Sequence, residues 1–475
     1  MPTLPSGFIS RATGIVGGPF VLQDASSLDA YGTDGTKKGA PADLVVLPGS
    51  AQEVSQLAKL CNDERVPIVA RGAGTGYTGG AVPTRGGMVL SLERMNRILE
   101  IDQLNLLARV QPNVITGDLQ DAVEKVGLFY PPDPASLRQS ALGGNVAECA
   151  GGPRAFKYGT TKRYVLALEA VLANGEIIHT GSKAVKNVVG YDLTQLLVGS
   201  EGTLAIITEI TLRLIPKPPA HATLLAEFAD VTYAVDAVTQ LIRRRVVPAA
   251  VELVDAASLK ALAEHAGRPM ANAGTGAVLI IEVDGSPESV GPEMLLVEEA
   301  CRAAKAIALK RAATDAERDD IWHLRRELSP ALKKISSIKL NNDVVVPRGR
   351  IPQLFALVKE IERESGLPIA SFGHAGDGNI HVNIMIPEDP TLTGKREEGR
   401  GQKDALERGE RAVRRLFEGV VALEGSISGE HGIGFTKSPY LHLELSPEEI
   451  ALMKRVKAAF DPNGILNPGK IFPDG

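Results

Sequence analysis

Two short segments carry the side chains best suited to chemistry: 372-FGHAGDGNIHVNIM-385 and 428-SGEHGIG-434. They hold His374, His381, Glu430 and His431 among glycines, which let a backbone turn and present side chains to a common point. A lone histidine is more often structural than a ligand. Two imidazoles and a carboxylate with an open position, however, form the ligand set of catalytic divalent metals. The spacing is not H-E-x-x-H, so it leaves the metal's identity open. His374 is expected in a loop. His381 and Asn383, two residues apart, share one face of a strand in NIHVNIMI. Asp377, between Gly376 and Gly378, reads as a turn residue.

A third segment, 71-RGAGTGYTGG-80, puts five glycines in ten residues directly after the apolar run VPIVA. Such a loop lets backbone N–H groups converge on a phosphate. It is not a Walker loop, because no Gly-Lys-Ser/Thr occurs. Gly74, Gly76 and Gly79 match the bare dinucleotide spacing G-x-G-x-x-G, but 82-VPTRGG-87 breaks the helix that fingerprint must open. Read alone, the loop is a phosphate cradle or a set of tight turns.

These segments need a scaffold, and 475 residues are enough for two or three domains. Hydrophobic residues make up 44% and charged residues 23%, which suits a folded globular chain. A net charge of −5 and 4% aromatics argue against nucleic acid as a partner. The three cysteines, Cys61, Cys149 and Cys301, form no C-x-x-C pair, which argues against an iron–sulfur cluster held by this chain alone. No run is long and apolar enough for a membrane span, and the N-terminus lacks a signal-peptide pattern. The expectation is a cytoplasmic protein, with attachment at a membrane surface left open.

Residues 43–70 read as strand, helix and strand, with Ser50 and Glu53 as a capping box. Strands follow at 88–92 and 106–112. The helix TGDLQDAVEKVGL turns Leu119, Ala122, Val123 and Val126 inward. VLALEAVLANGEIIHTG is expected to be a hairpin with a type I′ turn at Asn174-Gly175. Residues 204–218 read as a long strand or strand pair. The Pro-rich 216-PKPPAHA-222 marks a domain break. Residues 387–403 are polar and read as an exposed connection, with an amphipathic helix over 404–424. A capped helix begins at Ser446.

The glycine-rich loop closely resembles the pyrophosphate loop of the vanillyl-alcohol oxidase / p-cresol methylhydroxylase superfamily. The segments 132-PDPAS-136, 142-LGGNVAECAGG-152, 158-YG-159, 186-KNVVGYDL-193 and 199-GSEGTLAIITE-209 agree in the same order. Together they resemble the branch of glycolate oxidase FAD subunits, D-lactate dehydrogenases and D-2-hydroxyglutarate dehydrogenases. The resemblance implies an α+β fold. A two-subdomain FAD-binding domain of the p-cresol methylhydroxylase type would cover residues 1–219. A substrate domain with an antiparallel sheet and a C-terminal helical segment would cover 220–464, and a tail, 465–475, would return to the flavin.

It also implies FAD contacts from Arg71, Gly72, Ala73, Gly74, Thr75, Gly76, Thr78, Gly79 and Gly80. Pro132, Asp133, Ala135, Ser136, Gly143, Gly144, Asn145, Gly151 and Gly152 would line the flavin, with Tyr158 and Gly159 nearby. Glu201, Gly202 and Ile207 would lie toward the adenosine half, and Asn467 at the flavin edge. Cys149 departs from the pattern, since relatives usually carry Asn there. No histidine precedes His179, so no histidine near this loop can tether a flavin, and non-covalent FAD is expected.

By the same resemblance, His374, His381 and Glu430 hold a divalent metal (Zn, Mn or Fe), and Asn383 and His431 face the substrate. The motif in 321-IWHLRRELSPAL-332 makes Arg325 the binder of the substrate carboxylate, with Ser329 one helical turn on; Arg326 interrupts the pattern. The reaction implied is oxidation of a D-2-hydroxy acid by hydride transfer to flavin. The metal lowers the hydroxyl pKa, and His431 acts as base. In the 2-hydroxyglutarate branch a lysine stands where this chain has Asn341. Lys339 is its only near substitute, so D-lactate or glycolate is favoured over 2-hydroxyglutarate. Electrons would leave to an electron-transfer flavoprotein, an iron–sulfur subunit or a quinone. A flavin subunit of a multi-subunit oxidase is the alternative, and a homodimer is left open.

Overall fold

The computed structural model describes residues 4–36, 39–336, 338–387 and 398–473. Their parts form two compact units. The first takes the described residues of 1–151, 159–217 and 430–475, and the second those of 152–158 and 218–429.

In the first unit, Leu44–Val46, Met88–Ser91 and Ile68–Arg71 run parallel, with Val21–Leu22 antiparallel at one edge. Leu44, Val45 and Val46 are wholly buried, as strands covered on both faces must be. Helix Ala51–Glu64 packs here through Val54, Leu57, Ala58 and Cys61. Ser50 Oγ accepts from the Glu53 N–H at 3.2 Å, but Glu53 reaches back to the N–H of Gly49 (2.7 Å), one residue before the expected partner.

A second sheet is antiparallel, in the order Ile98–Asp102, Leu107–Val110, Ile206–Arg213, Val165–Val171, Ile177–Gly181. The hairpin at 165–181 forms as expected, with a different turn. Only Gly175 is left-handed (φ 87°), and its N–H bonds Leu172 O at 2.9 Å. The turn is type I followed by a glycine bulge, because Asn174 accepts from Glu176 N–H through Oδ1 (3.0 Å). Helix Thr116–Glu124 buries Leu119 and Val123 and leaves Ala122 partly covered. Val126 lies past its end and is exposed, because the chain turns away at Gly127 (φ 77°).

The second unit is built on seven antiparallel strands, in the order Ala308–Arg311, Ala220–Phe228, Ala277–Gly285, Ala250–Asp255, Ile369–His374, Asn379–Ile386, Ile338–Val345. Helices Ala256–Ala266, Asp315–Arg326 and Leu328–Ile335 bury Leu262, Trp322 and Leu332 with Val254, Ile280 and Phe372 of the sheet. Helix Glu398–Ala422 begins six residues earlier than the sequence pattern suggests. The expected connection shrinks accordingly, and its residues 388–397 lie outside those described.

The domain limits shift in two places. Residues 152–158 belong with the second unit, where Lys157 and Tyr158 bond Asp284. The C-terminal return begins at Glu430 rather than at 465, and it includes the capped helix Pro447–Phe460. It is stitched to the parallel sheet by Ile68 N–H to Ile465 O and Asn467 N–H to Ile68 O, both 2.7 Å. Among the described residues, no helix is long and apolar enough to cross a membrane.

Candidate active site

The glycine-rich loop leaves strand Ile68–Arg71, and its glycines divide into two kinds. At Gly74 (φ 66°) a Cβ would stand 2.1 Å from the Arg71 guanidinium, and at Gly79 (φ 82°) 2.0 Å from the Phe435 ring. At Gly80 it would stand 2.6 Å from Glu148 Oε1. These glycines serve close packing and left-handed backbone. Gly76 and Gly144 have open space where a Cβ would be. Gly72 brings the two loops together: its Cβ would lie 3.7 Å from Gly144 N and 3.9 Å from Asn113 Oδ1. That Oδ1 is buried without a hydrogen-bond partner. Open backbone beside an acceptor lacking a donor fits a ligand that fills the space and supplies an O–H or N–H. FAD has both, in its ribityl hydroxyls and at flavin N3.

The Arg71 side chain turns away from that space: Nη1 donates to Thr33 O at 2.6 Å, and the guanidinium lies 5.7 Å from the Tyr31 ring. Burial lowers its pKa, opposed by Asp34. The loop is braced by Gly35 N–H to Gly76 O (2.9 Å). Asn145 Nδ2 donates to Thr116 Oγ1 (2.6 Å), and Gly143 packs on Pro112. Pro132 O accepts from Gln120 Nε2 (2.9 Å), and Ser136 O from the N–H of Gln139 and Ser140. Gly159 (φ 82°) packs on Arg163. Ile207 is buried in strand Ile206–Arg213. Asn467 Nδ2 ties Gly80 O (2.8 Å) to Glu201 O (2.7 Å) beside Gly202. Cys149 caps helix Leu142–Glu148 at φ 57°, a left-handed position that Asn adopts more easily than most residues, and its Sγ lies 3.3 Å from Thr160 Oγ1.

The segment 430–434 is locked to the same loop. Thr78 Oγ1 donates to His431 O (2.9 Å), and Thr78 O accepts from Phe435 N–H (3.1 Å). The His431 ring faces Tyr77 with centroids 5.4 Å apart. Glu430 packs on Gly151, where a Cβ would come within 2.6 Å of its carboxylate.

In the second unit the chemistry sits on one sheet face. His374 is the last residue of its strand rather than part of a loop. Glu252, opposite it in register, accepts at His374 Nδ1 (2.6 Å) through Oε1 and from Arg325 Nε (2.7 Å) through Oε2. Burial alone would raise the Glu252 pKa, but Arg325 and His374 reverse it and hold the carboxyl at about 2. His381 lies one strand over, its ring edge-on to His374 at 5.3 Å, with its Nδ1 3.7 Å from Asp343 Oδ1. His374 therefore has a carboxylate hydrogen-bonded at Nδ1. A proton held there makes its Nε2 the lone-pair atom, the arrangement metal-binding histidines use, whereas Asp343 lies beyond hydrogen-bond reach of His381 Nδ1.

Helix positions 318, 322, 325 and 329 line this face at spacings of four, three and four. Arg318 and Trp322 bond Glu282, Arg325 bonds Glu252, and Ser329 accepts from Lys339 Nζ at 3.2 Å. Arg325 is buried, and Glu252 takes its Nε and Nη2 edge, which leaves the Nη1 side of the guanidinium for a second acceptor. Asn383 is wholly buried. Its Nδ2 donates to Ala370 O (3.2 Å) and His381 O (3.1 Å), while Oδ1 has no hydrogen-bond partner. Asn341, directly opposite, also has an unsatisfied Oδ1. Asp377 does act as a turn residue, accepting from Asn379 N–H (3.2 Å).

Residues 217–471 match the family described as FAD linked oxidases, C-terminal domain, and residues 42–181 match FAD binding domain. The chain belongs to the FAD-linked oxidases. It is 44% identical to glycolate oxidase subunit GlcD of Bacillus subtilis, over 90% of this chain and 89% of that one. It is 38% identical to a D-lactate dehydrogenase of Anaerostipes hadrus (91% and 90% covered) and 36% identical to a D-2-hydroxyglutarate dehydrogenase of Stutzerimonas stutzeri (95% and 96%). Its fold is that of p-cresol methylhydroxylase with substrate bound, at a TM-score of 0.80 and 18% identity, covering 99% of this chain and 98% of that one. This FAD-linked oxidase is thus an oxidoreductase with a flavin-binding domain.

Glu252 and Asp343, which stand beside His374 and His381, and Tyr77, against His431, were not legible in the sequence as neighbours of the candidate site. Glu252 and Asp343 sit inside apolar strands (AVELVD, NNDVVV), and an acid in a buried strand needs a cationic partner. That signal was present but names no partner.

Proposed function

We propose that this oxidase converts a 2-hydroxy acid, D-lactate or glycolate, to the 2-oxo acid. The single observation that carries the reading is the Arg325–Glu252–His374 chain beside His381, an imidazole pair with one member carboxylate-braced, in a chain that resembles hydroxy-acid oxidases along about nine-tenths of its length. Bound FAD, held without a covalent tether, would supply the hydride acceptor, and a divalent metal on the His374–His381 pair would polarise the hydroxyl.

The chain's own residues do the rest. His431 takes the hydroxyl proton; its backbone is pinned by Thr78 and its ring rests on Tyr77. Asn383 Oδ1 accepts from a substrate O–H. Arg325 keeps Nη1 for one oxygen of the substrate carboxylate, while Glu252 holds the guanidinium in place. Gly76, Gly144 and Asn113 form the cofactor's near wall. Electrons leave to a partner protein or quinone, in keeping with a relative that is a subunit of a larger oxidase.

One observation favours a second reading, D-2-hydroxyglutarate. Lys339 is pulled down to about 8 by burial and then by Lys333, and the partner shown for its Nζ is a hydroxyl, that of Ser329. A buried cation without a carboxylate suits the far end of a diacid. Anaerobic mixing of the yellow holoenzyme with each acid decides between them. D-lactate or glycolate should bleach the flavin fastest. Bleaching by D-2-hydroxyglutarate alone would overturn the first reading, and bleaching by none of the three would sink both.

A further inference from the structure

Two buried glutamates in the first unit have no part in the reaction above. Glu148 ends helix Leu142–Glu148, and Glu201 lies in 199-GSEG-202, held at φ 51°. They are neighbours through the backbone, since Glu201 N–H bonds Ala147 O at 2.8 Å. The Glu201 carboxylate accepts two N–H groups of the loop that carries His431: Ile433 through Oε1 and Gly434 through Oε2, both 2.7 Å. A Cβ at Gly432 would stand 2.1 Å from Glu148 Oε2 and 2.9 Å from Glu201 Oε1, so both carboxyl groups press against the residue next to His431. Glu148 also presses on Gly80, the end of the glycine-rich loop.

Two carboxyl groups so close and so buried do not both ionise. Burial, then Glu201 and Asp34, push Glu148 well above the carboxylate range. Burial also raises Glu201, but the N–H groups of Ile433 and Gly434, then Lys437 and Lys470, oppose it. Glu148 is the more strongly raised of the two, because the N–H groups and lysines oppose burial at Glu201.

We propose that Glu148 and Glu201 are the positioning residues of the His431 loop. Glu201 clamps the backbone two and three residues after His431, and Glu148 fills the space between Gly80 and Gly432. The clamp fixes where the imidazole sits relative to the glycine-rich loop. It rests on the reading of His431 as base. Neither glutamate touches a reacting atom, so each acts through His431. The requirement for glycine at 432 follows directly, because any side chain there would strike both carboxyl groups.

The test uses purified FAD-loaded full-length protein and D-lactate, or glycolate where that is the better reductant. Glu201→Gln puts an amide N–H₂ against one of the two loop N–H groups. The flavin-reduction rate at saturating acid should fall about 10- to 100-fold, as for a base displaced by about an ångström, with the half-saturating concentration and FAD content little changed. Glu148→Ala should lower the same rate, and Glu148→Gln, a neutral side chain of equal size, should recover most of the loss. Wild-type reduction by FAD-loaded Glu201→Gln overturns the proposal. So does a Glu201→Gln defect confined to FAD loss, with the loaded fraction reducing normally, or a Glu148→Gln no better than Glu148→Ala. His431→Ala, run in parallel, separates the two ideas. If it still reduces flavin, the base assignment fails. If it is dead while Glu201→Gln is normal, only the clamp fails.

Discussion

The flavin-binding unit and the sheet-based second unit solve the same problem, holding groups still, by opposite means. In the first, the work falls on backbone: glycines at 74, 79, 80 and 434 leave room for Arg71, Phe435, Glu148 and the Thr78 carbonyl to press directly on the loops. In the second, side chains on regular elements do it: Glu252, His374 and Arg325 stand on strands and a helix and brace one another by charged hydrogen bonds. A backbone-built site should therefore break when a methyl group is added, and a charge-built site when one ion is neutralised.

The largest effect is expected on the charged side. Glu252→Ala leaves Arg325, itself buried, without its counter-ion, and should destabilise the protein by about 3–5 kcal/mol. Its pH dependence has a definite sign. The folded pKa of about 2 lies below the ordinary 4.5, so the stabilisation is complete above pH 4.5 and is lost as pH falls toward 2. Urea unfolding from pH 6 to pH 3 checks this: the gap between wild type and Glu252→Gln should narrow with falling pH. A gap that stays constant would mean that the pair is not what holds His374.

A smaller loss is expected from Gly434→Ala. Its Cβ would meet Thr78 O at 2.0 Å, at φ 52°, so the loops must part. The strain is of the order of 1–3 kcal/mol and should appear as weaker FAD retention and slower flavin reduction, with the unfolding of the second unit unchanged. Full FAD retention at wild-type rate would show that the interlock is not needed, and the contrast between the units would lose its first half.

The two units also differed in how far sequence reached. The glycine-rich loop, the hairpin at 165–181 and the N-caps at Ser50 and Ser446 were legible because turn and cap chemistry is local. The placing of His381 and Asn383 together was legible because strand period two puts them on one face. What stayed hidden was the second partner of each interaction. Nothing local links Glu252 to His374, 122 residues apart, or Glu201 to Gly434, 233 apart. Arg325 shows the cost: its motif was visible, but the carboxylate it already holds was not. The glycines at 79 and 80 were likewise visible as loop glycines, but the Phe435 and Glu148 side chains that press on them were not.

That last point yields the smallest and sharpest test. If the loop's glycines were all alike, Gly76→Ala and Gly79→Ala would behave the same. Gly79→Ala must collide with Phe435 at φ 82°, so it should resemble Gly434→Ala. Gly76 has no atom within 4 Å of its Cβ position and no left-handed backbone, so Gly76→Ala should alter apoprotein stability by no more than about 1 kcal/mol, in the stabilising direction. Yet if the open side at Gly76 faces the cofactor's phosphates, the methyl group occupies their space, and FAD affinity should fall about tenfold, or about 1.4 kcal/mol. Isothermal titration of apoprotein with FAD, beside thermal melting of the same apoprotein, reads the two quantities separately. Unchanged FAD affinity would mean that the phosphates lie elsewhere and that even Gly76 is a packing glycine. A tenfold loss without destabilisation would single it out as the glycine of this loop kept for the ligand rather than for the fold.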